Sequence, residues 1–265
     1  MGKIKINMIG GGFQHDVCSS SGSIPKLIEW VKNGSANISI HIDNGIHIQP
    51  SIGKKSYAWI SESSTINTNL IKWCKENFKI LEQNFINVFT HDKSLLELSP
   101  IFKLVVCNVK PWVKDIKVHE KTKLVSMIAS SKTMCPDHIT RINFMNKFKN
   151  NLDLYGRNVN PINDKIEGLK DYMFSVTIEN GTYDNMFTEK IGDCFATGTV
   201  PVYWGSKSVN NFFNPSGIIW LDENFKISDL TPELYYSMKE SIIDNFNRIN
   251  DFPIAEDYIF ENFIK

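Results

Sequence analysis

Thr188-Glu189-Lys190 has the residue types and the setting to handle a phosphorylated ligand. It stands where a strand-like run, Phe174-Ser175-Val176-Thr177-Ile178, gives way through the turn residues Glu179-Asn180-Gly181-Thr182 to a helical pattern striped by Ile191, Cys194 and Phe195. A helix N-terminus offers backbone N–H groups and a partial positive charge, both suited to phosphate. Lys190 adds a full charge there, and Glu189 can accept hydrogen bonds from ribose or sugar hydroxyls. Thr188 is a capping type of residue, Gly198 is a type that ends helices, and residues 200–204 form the next strand-like run. This is a βαβ unit, which calls for a parallel sheet. The residue types alone leave a second reading open: an ordinary βαβ unit with a solvated Glu and Lys at its helix start.

Several blocks stand in order: Phe174-x4-Glu179-Asn180, Thr188-Glu189-Lys190, Gly198-Thr199-Val200-Pro201-Val202-Tyr203-Trp204-Gly205 and Phe213-Asn214-Pro215-Ser216-Gly217-Ile218-Ile219. Over residues 123–222 they resemble the signature of the α-1,3-fucosyltransferase family, glycosyltransferase family 10. The resemblance implies an α/β, GT-B-like fold, with two Rossmann-like domains whose parallel sheets face a cleft. A proline-bearing, mixed-charge stretch over 108–119 places the domain boundary near 120: residues 1–120 would be the acceptor-side domain and 121–265 the nucleotide-sugar domain, the last helix crossing back to the first. The resemblance also implies an inverting transfer of a sugar, with GDP-fucose as the leading donor, to a saccharide hydroxyl.

Site residues follow from the same resemblance. Trp59-Ile60-Ser61-Glu62-Ser63 is similar to the family's Glu-Ser-Pro-like motif, with Ser64 in place of the proline, so Glu62 is the implied general base; the other reading is a carboxylate that merely precedes a helix. Arg141, within His138-Ile139-Thr140-Arg141-Ile142-Asn143-Phe144, matches a helix arginine that contacts the donor diphosphate. A departing diphosphate gains charge, and a guanidinium meets it through two parallel N–H bonds. Arg141 and Lys190 would stabilise this leaving group. Glu179, Asn180, Thr188, Glu189 and Tyr203 would bind the donor, and Arg157, after the Tyr155-Gly156 turn, is a further candidate. No Asp-x-Asp lies near a strand end, so neither a metal nor a cofactor is expected beyond the nucleotide-sugar co-substrate. Met186 departs from the family, which carries Tyr three positions before the Glu of Thr-Glu-Lys. The lost phenol keeps two alternatives open: another nucleotide-sugar donor, or a non-catalytic nucleotide- or sugar-binding scaffold.

The remaining elements must present these residues. With 265 residues and 42% hydrophobic content, the chain can fill two modest α/β domains. Lys+Arg and Asp+Glu both number 29, which gives no electrostatic case for nucleic acid. Five cysteines without a CxxC pair suggest reduced thiols and a cytoplasmic protein. The N-terminal apolar run is too short for a signal peptide or membrane anchor, so no transmembrane segment is expected. Strands are expected at 3–9, 38–42, 56–60, 87–90, 102–107, 124–129 and 152–155. Helices are expected from Ser23, with Pro25 in the first turn, to about 31, then over 67–77, 137–148 and 231–247. In the last, Leu234, Met238, Ile242 and Phe246 form a core face. Gly10-Gly11-Gly12 lacks the spacing of a dinucleotide loop and reads as a Gly-rich loop. In that loop His15 and Asp16 are ordinary polar residues or acceptor contacts, and Trp112 reads as a core or interface aromatic.

Overall fold

Short β-branched runs spaced by helical patterns place two separate parallel sheets on this chain. The structure is a computed structural model, which describes all residues except 1, 14–16, 33, 107–108, 131, 134–135 and 157–158. The expectations for His15, Asp16 and Arg157 therefore fall outside the described residues. The chain divides into two units, residues 1–108 with 253–265, and residues 109–252. The division expected near 120 moves earlier because residues 109–120 are stitched to the second unit. Asp193 accepts the N–H groups of Trp112 (2.6 Å) and Val113 (3.0 Å), and Lys117 N–H donates to the Ala196 carbonyl (3.0 Å).

In the first unit the strands are β1 (Ile4–Gly10), β2 (Ile28–Val31), β3 (Ile38–Ile42), β4 (Lys55–Trp59), β5 (Val88–Thr90) and β6 (Phe102–Leu104). They are all parallel, in the order β2-β1-β3-β4-β5-β6. On one face Ile6, Met8, Ile40, Tyr57 and Trp59 share a core with Ala255, Ile259 and Ile264 of the C-terminal segment. On the other, α1 (Thr68–Glu76), α2 (Phe78–Asn84) and α3 (Lys93–Leu96) bury Leu70, Ile71, Cys74, Leu81 and Leu95 in one core with Ala58, Ile60 and Val88. Residues 23–31 are not the expected helix. Ile28 to Val31 pair in parallel with Ile4 to Asn7, which buries Ile28. The buried carboxylate of Asp257 takes the N–H groups of Lys26 (2.8 Å) and Leu27 (3.0 Å), fixing an extended entry into the strand.

In the second unit β7 (Lys123–Ile128), β8 (Asp153–Tyr155), β9 (Tyr172–Ile178), β10 (Val200–Trp204) and β11 (Ile219–Trp220) are also all parallel, ordered β11-β10-β9-β7-β8. Helix α4 spans Pro136–Phe148 and α5 Glu189–Thr197. The single helix expected over 231–247 is two, α6 (Pro232–Ser237) and α7 (Lys239–Asp251), broken at Met238 (φ −91°, ψ 7°). Leu234, Met238 and Ile242 still face one core, beside Phe174, Val176, Val200 and Val202, whereas Phe246, expected on the same face, is half-buried and outside that cluster.

Numbered within their own unit, both sheets run 2-1-3-4-5, with a sixth strand on the first. In this topology the chain turns opposite ways from the first and third strands. A crevice is left beyond their C-terminal ends, where open α/β sheets bind ligands.

Candidate functional site

Strand β9 is central and buried along its whole length. The first residue beyond it, Glu179, continues the ladder, its N–H donating to the Trp204 carbonyl (2.9 Å). Its carboxylate is fully buried and is saturated by the start of α5. Oε1 accepts from the Thr188 N–H (2.7 Å) and Oγ1 (3.0 Å). Oε2 accepts from Thr188 Oγ1 (2.8 Å) and Lys190 Nζ (2.9 Å). Thr188 is the N-cap of α5, and Lys190 also donates to its hydroxyl (3.0 Å). Gly198 ends the helix in the left-handed region (φ 70°), which only glycine enters without cost.

Beyond the C-terminal ends of β7 and β9 lies a cavity of about 210 Å3, lined by residues 128–130 and 175–178, Arg141, Lys165, Glu189, Lys190 and Asp193 among others. It occupies the switch point of the second sheet. Arg141 is buried on α4; its Nε donates to the Ser130 carbonyl (3.1 Å) and its Nη2 to that of Lys132 (3.4 Å). One turn earlier on the same helix, His138 Nε2 lies 3.0 Å from Asn180 Oδ1. Burial, and next the charge of Arg141, lower the pKa of His138.

Lys165 carries no sequence signal of its own beyond the Asp164-x-x-Glu167 capping box that places it at the start of a turn. Its Nζ reaches Glu189 Oε1 (3.2 Å) and Asp193 Oδ2 (2.8 Å), and lies 4.3 Å from the centre of the Trp112 ring. Burial pushes the Glu189 carboxyl up. The charges of Lys165 and Lys190, with hydrogen bonds from Lys165 and Thr188, outweigh that and hold it at about 2. For Lys190 the order is the same: burial lowers its pKa, but Glu179 and then Glu189 raise it further, so the ammonium is firmly charged. The cavity thus presents an ionised carboxylate, suited to hydroxyls, beside a guanidinium, an ammonium and a helix N-terminus, suited to phosphate.

Of the expected donor residues, the structure gathers Arg141, Glu189 and Lys190 on the cavity. Glu179 and Thr188 do not line it; they hold Lys190 from behind. Asn180 also lies off the lining, against His138. Tyr203, expected on the pocket wall, is instead fully buried, its ring 5.7 Å from that of Trp220. Met186 is buried as well and is not among the lining residues.

Glu62 belongs to the first unit, in the turn after β4. It is half-buried, and its Oε1 accepts the Ser63 N–H (2.8 Å). Helix α1 starts only at Thr68 and has no acidic residue in its first turn, so Glu62 is not part of that helix start. Among the described residues, no group of three or more His, Cys, Asp or Glu could hold a metal ion, and no helix is long and apolar enough to cross a membrane.

Comparison with known proteins matches residues 118–242 to the model of "Glycosyltransferase family 10 (fucosyltransferase) C-term". An alpha-(1,3)-fucosyltransferase FucT of Helicobacter pylori is 40% identical over 58 residues, which is 22% of this chain and 12% of that protein's length. Among solved structures, an α1,3-fucosyltransferase with GDP superposes with a TM-score of 0.54 at 14% identity, covering 96% of this chain and 92% of the other. An α1,3-fucosyltransferase with GDP-fucose gives 0.52 at 14% identity, covering 92% and 81%. At these identities the structural likeness establishes the fold, that of the GT-B fucosyltransferases with their two parallel-sheet α/β domains.

Proposed function

We propose that this chain, whose residues 118–242 match the fucosyltransferase model of glycosyltransferase family 10, is a member of that family and transfers fucose from GDP-fucose to a saccharide hydroxyl with inversion at the anomeric carbon. The observation that carries the reading is the cavity at the switch point of the second sheet, lined by Arg141 from α4 and by Glu189 and Lys190 from the start of α5. Lys190, Arg141 and the α5 N-terminus take up the negative charge that grows on the departing diphosphate. Glu189 accepts from hydroxyls of the ribose or the sugar. Glu62 takes the proton of the acceptor hydroxyl as its oxygen bonds to the anomeric carbon and the bond from that carbon to the diphosphate oxygen breaks. The products are the glycoside, the nucleoside diphosphate and a protonated Glu62. With three fixed positive elements at the diphosphate, no metal is needed; activity abolished by EDTA and restored by a divalent cation would refute that part.

The test is melting with GDP, UDP, CDP and dTDP in parallel, followed by turnover of GDP-fucose. A nucleotide at 100 times its dissociation constant stabilises by about 2.7 kcal/mol. The expected result is a rise in melting temperature with GDP alone, abolished in Arg141→Ala and Lys190→Ala. A rise only with another nucleotide moves the donor. Absence of any rise refutes the nucleotide-sugar site.

A further inference from the structure

Asp43 is the first residue beyond β3, at the switch point of the first sheet, and it has a positive φ of 47°. Asp is one of the few non-glycine residue types that enter this region, because its short side chain can hydrogen-bond locally, and the contacts of this turn hold it there. The turn that Asp43 opens, Asp43–His47, is clamped on the end of β1. A Cβ on Gly45 would lie 2.3 Å from the Ile9 carbonyl oxygen, and one on Gly10 (φ 102°) would lie 2.7 Å from the Gly45 Cα. Both glycines are therefore required for this close approach. His41 Nδ1 lies 3.0 Å from the Gly45 carbonyl oxygen and ties the turn from the other side.

From that clamped turn the Asp43 carboxylate reaches the end of the next strand. Oδ1 accepts the N–H groups of Ser61 (3.0 Å) and Glu62 (3.2 Å) and the amide of Asn67 (3.2 Å). Oδ2 accepts from Ser61 Oγ (2.8 Å). The peptide that bears Glu62 is thus held by a carboxylate anchored in a neighbouring strand turn. Downstream, the loop is tied by Asn67 ahead of α1. Among the described residues, the hydrogen bond of the Glu62 side chain is the local one from the Ser63 N–H (2.8 Å), so its placement follows the backbone that Asp43 fixes.

We propose that Asp43 is a positioning residue for the proton-accepting step: it fixes the backbone of Glu62 so that the carboxylate meets the acceptor hydroxyl, while taking no part in donor binding. This rests on the reading of Glu62 as the base. A base displaced by about an ångström loses on the order of 100-fold in rate. Asp43→Asn keeps an acceptor oxygen for the two N–H groups and a group that can pair with Ser61 Oγ, whereas Asp43→Ala removes both.

The experiment is steady-state and single-turnover kinetics with GDP-fucose on the wild type, Asp43→Asn, Asp43→Ala, Glu62→Gln and the double variant Asp43→Ala/Glu62→Gln, each also melted with and without GDP. The expected result is a kcat about 100-fold lower in Asp43→Ala and recovered to within about 10-fold of wild type in Asp43→Asn, with donor KM and the GDP-induced rise in melting unchanged. On the Glu62→Gln background, Asp43→Ala should change the residual rate less than threefold, because there is no longer a base to place. A general folding role would lower the two backgrounds by the same factor, and that outcome overturns the proposal. So does an undiminished kcat in Asp43→Ala alongside a crippled Glu62→Gln. Wild-type kcat in Glu62→Gln removes the base itself, and the positioning role with it; that outcome is separately visible because it needs no Asp43 variant.

Discussion

Replacing Glu179 tests whether the start of α5 is held by the strand end, as the geometry requires. Its carboxylate is completely buried and takes up Thr188 N–H, Thr188 Oγ and Lys190 Nζ. Removing one partner of a buried ion pair costs about 3–5 kcal/mol, because the other charge is left uncompensated. The Lys190 side chain keeps 29% of its surface exposed, so water relieves part of that cost. Gln also keeps a carbonyl oxygen for the Thr188 N–H. Glu179→Gln should therefore sit at the lower end, about 3 kcal/mol, and Glu179→Ala nearer 5 kcal/mol, since a buried N–H is stranded as well. At about 2–4 °C per kcal/mol for a domain of this size, Glu179→Gln should melt about 6–12 °C below wild type. The decisive variant is the double one, Glu179→Gln/Lys190→Met. Exchanging a whole buried pair for neutral groups is close to neutral for stability, so it should regain more than half of the lost melting temperature while showing no rise with GDP. Differential scanning fluorimetry with and without GDP reads both. If Glu179→Gln melts within about 1 °C of wild type, or the double variant melts lower still, the pair does not hold the helix start and the argument is wrong.

Three further outcomes follow from the same contacts. The Glu189 carboxyl lies at about 2 in the fold against an ordinary 4.5. Its stabilisation is therefore fully present above pH 4.5 and lost as pH falls towards 2; it amounts to about 3 kcal/mol, and urea titrations should show a flatter acid limb in Glu189→Gln than in wild type. Gly156 has φ 146°, and a Cβ there would lie 1.9 Å from the Ala129 carbonyl oxygen on the edge of the cavity. Gly156→Ala should thus cost more than about 3 kcal/mol in urea unfolding and weaken GDP binding in calorimetry. Arg141→Lys keeps the charge but loses the fork that reaches both the Ser130 and Lys132 carbonyls. It should behave like Arg141→Ala, with kcat down about 100-fold or more; near-wild-type turnover in Arg141→Lys would show that charge alone suffices.

What the sequence disclosed and what it hid divide along the range of the forces involved. Helix α5 was legible from end to end because its determinants are local: Thr188 caps it, its apolar stripe has helical spacing, and Gly198 supplies the left-handed stop. Strand β2 was hidden because Ser23 and Pro25 imitate a helix start. The four residues Ile28–Val31 become a strand through pairing with β1 and through Asp257, more than 200 positions away. The unit boundary was misplaced for a related reason. A proline-bearing, mixed-charge stretch resembles a linker, but Asp193 binds two of its N–H groups from 80 positions downstream. Lys165 was missed outright, since its pairing with Glu189 and Asp193 leaves no periodicity to detect. Tyr203 enters the expected donor set only through the resemblance, and no local signal in the sequence tells that its ring is fully buried against Trp220.

The two units solve one problem in the same way, although no repeat is visible in the sequence. In each, an isoleucine ends the third strand, Ile42 in β3 and Ile178 in β9, and the next residue is a carboxylate, Asp43 or Glu179. Each carboxylate turns from its strand end to accept backbone N–H groups of a segment with functional side chains: Ser61 and Glu62 in one unit, Thr188 in the other. Beyond the ends of a parallel sheet, backbone groups lose their ladder partners, and a loop there would otherwise be held by water. An anionic acceptor makes bonds about twice as strong as a neutral one, and a short side chain on the end of a buried strand inherits that strand's rigidity. The consequence is a functional segment whose position is set by the sheet and not by its own loop. Glycine changes within residues 64–66 or 182–187, which include neither Glu62 nor the N–H groups that the two carboxylates hold, should then perturb activity less than the loss of Asp43 or Glu179.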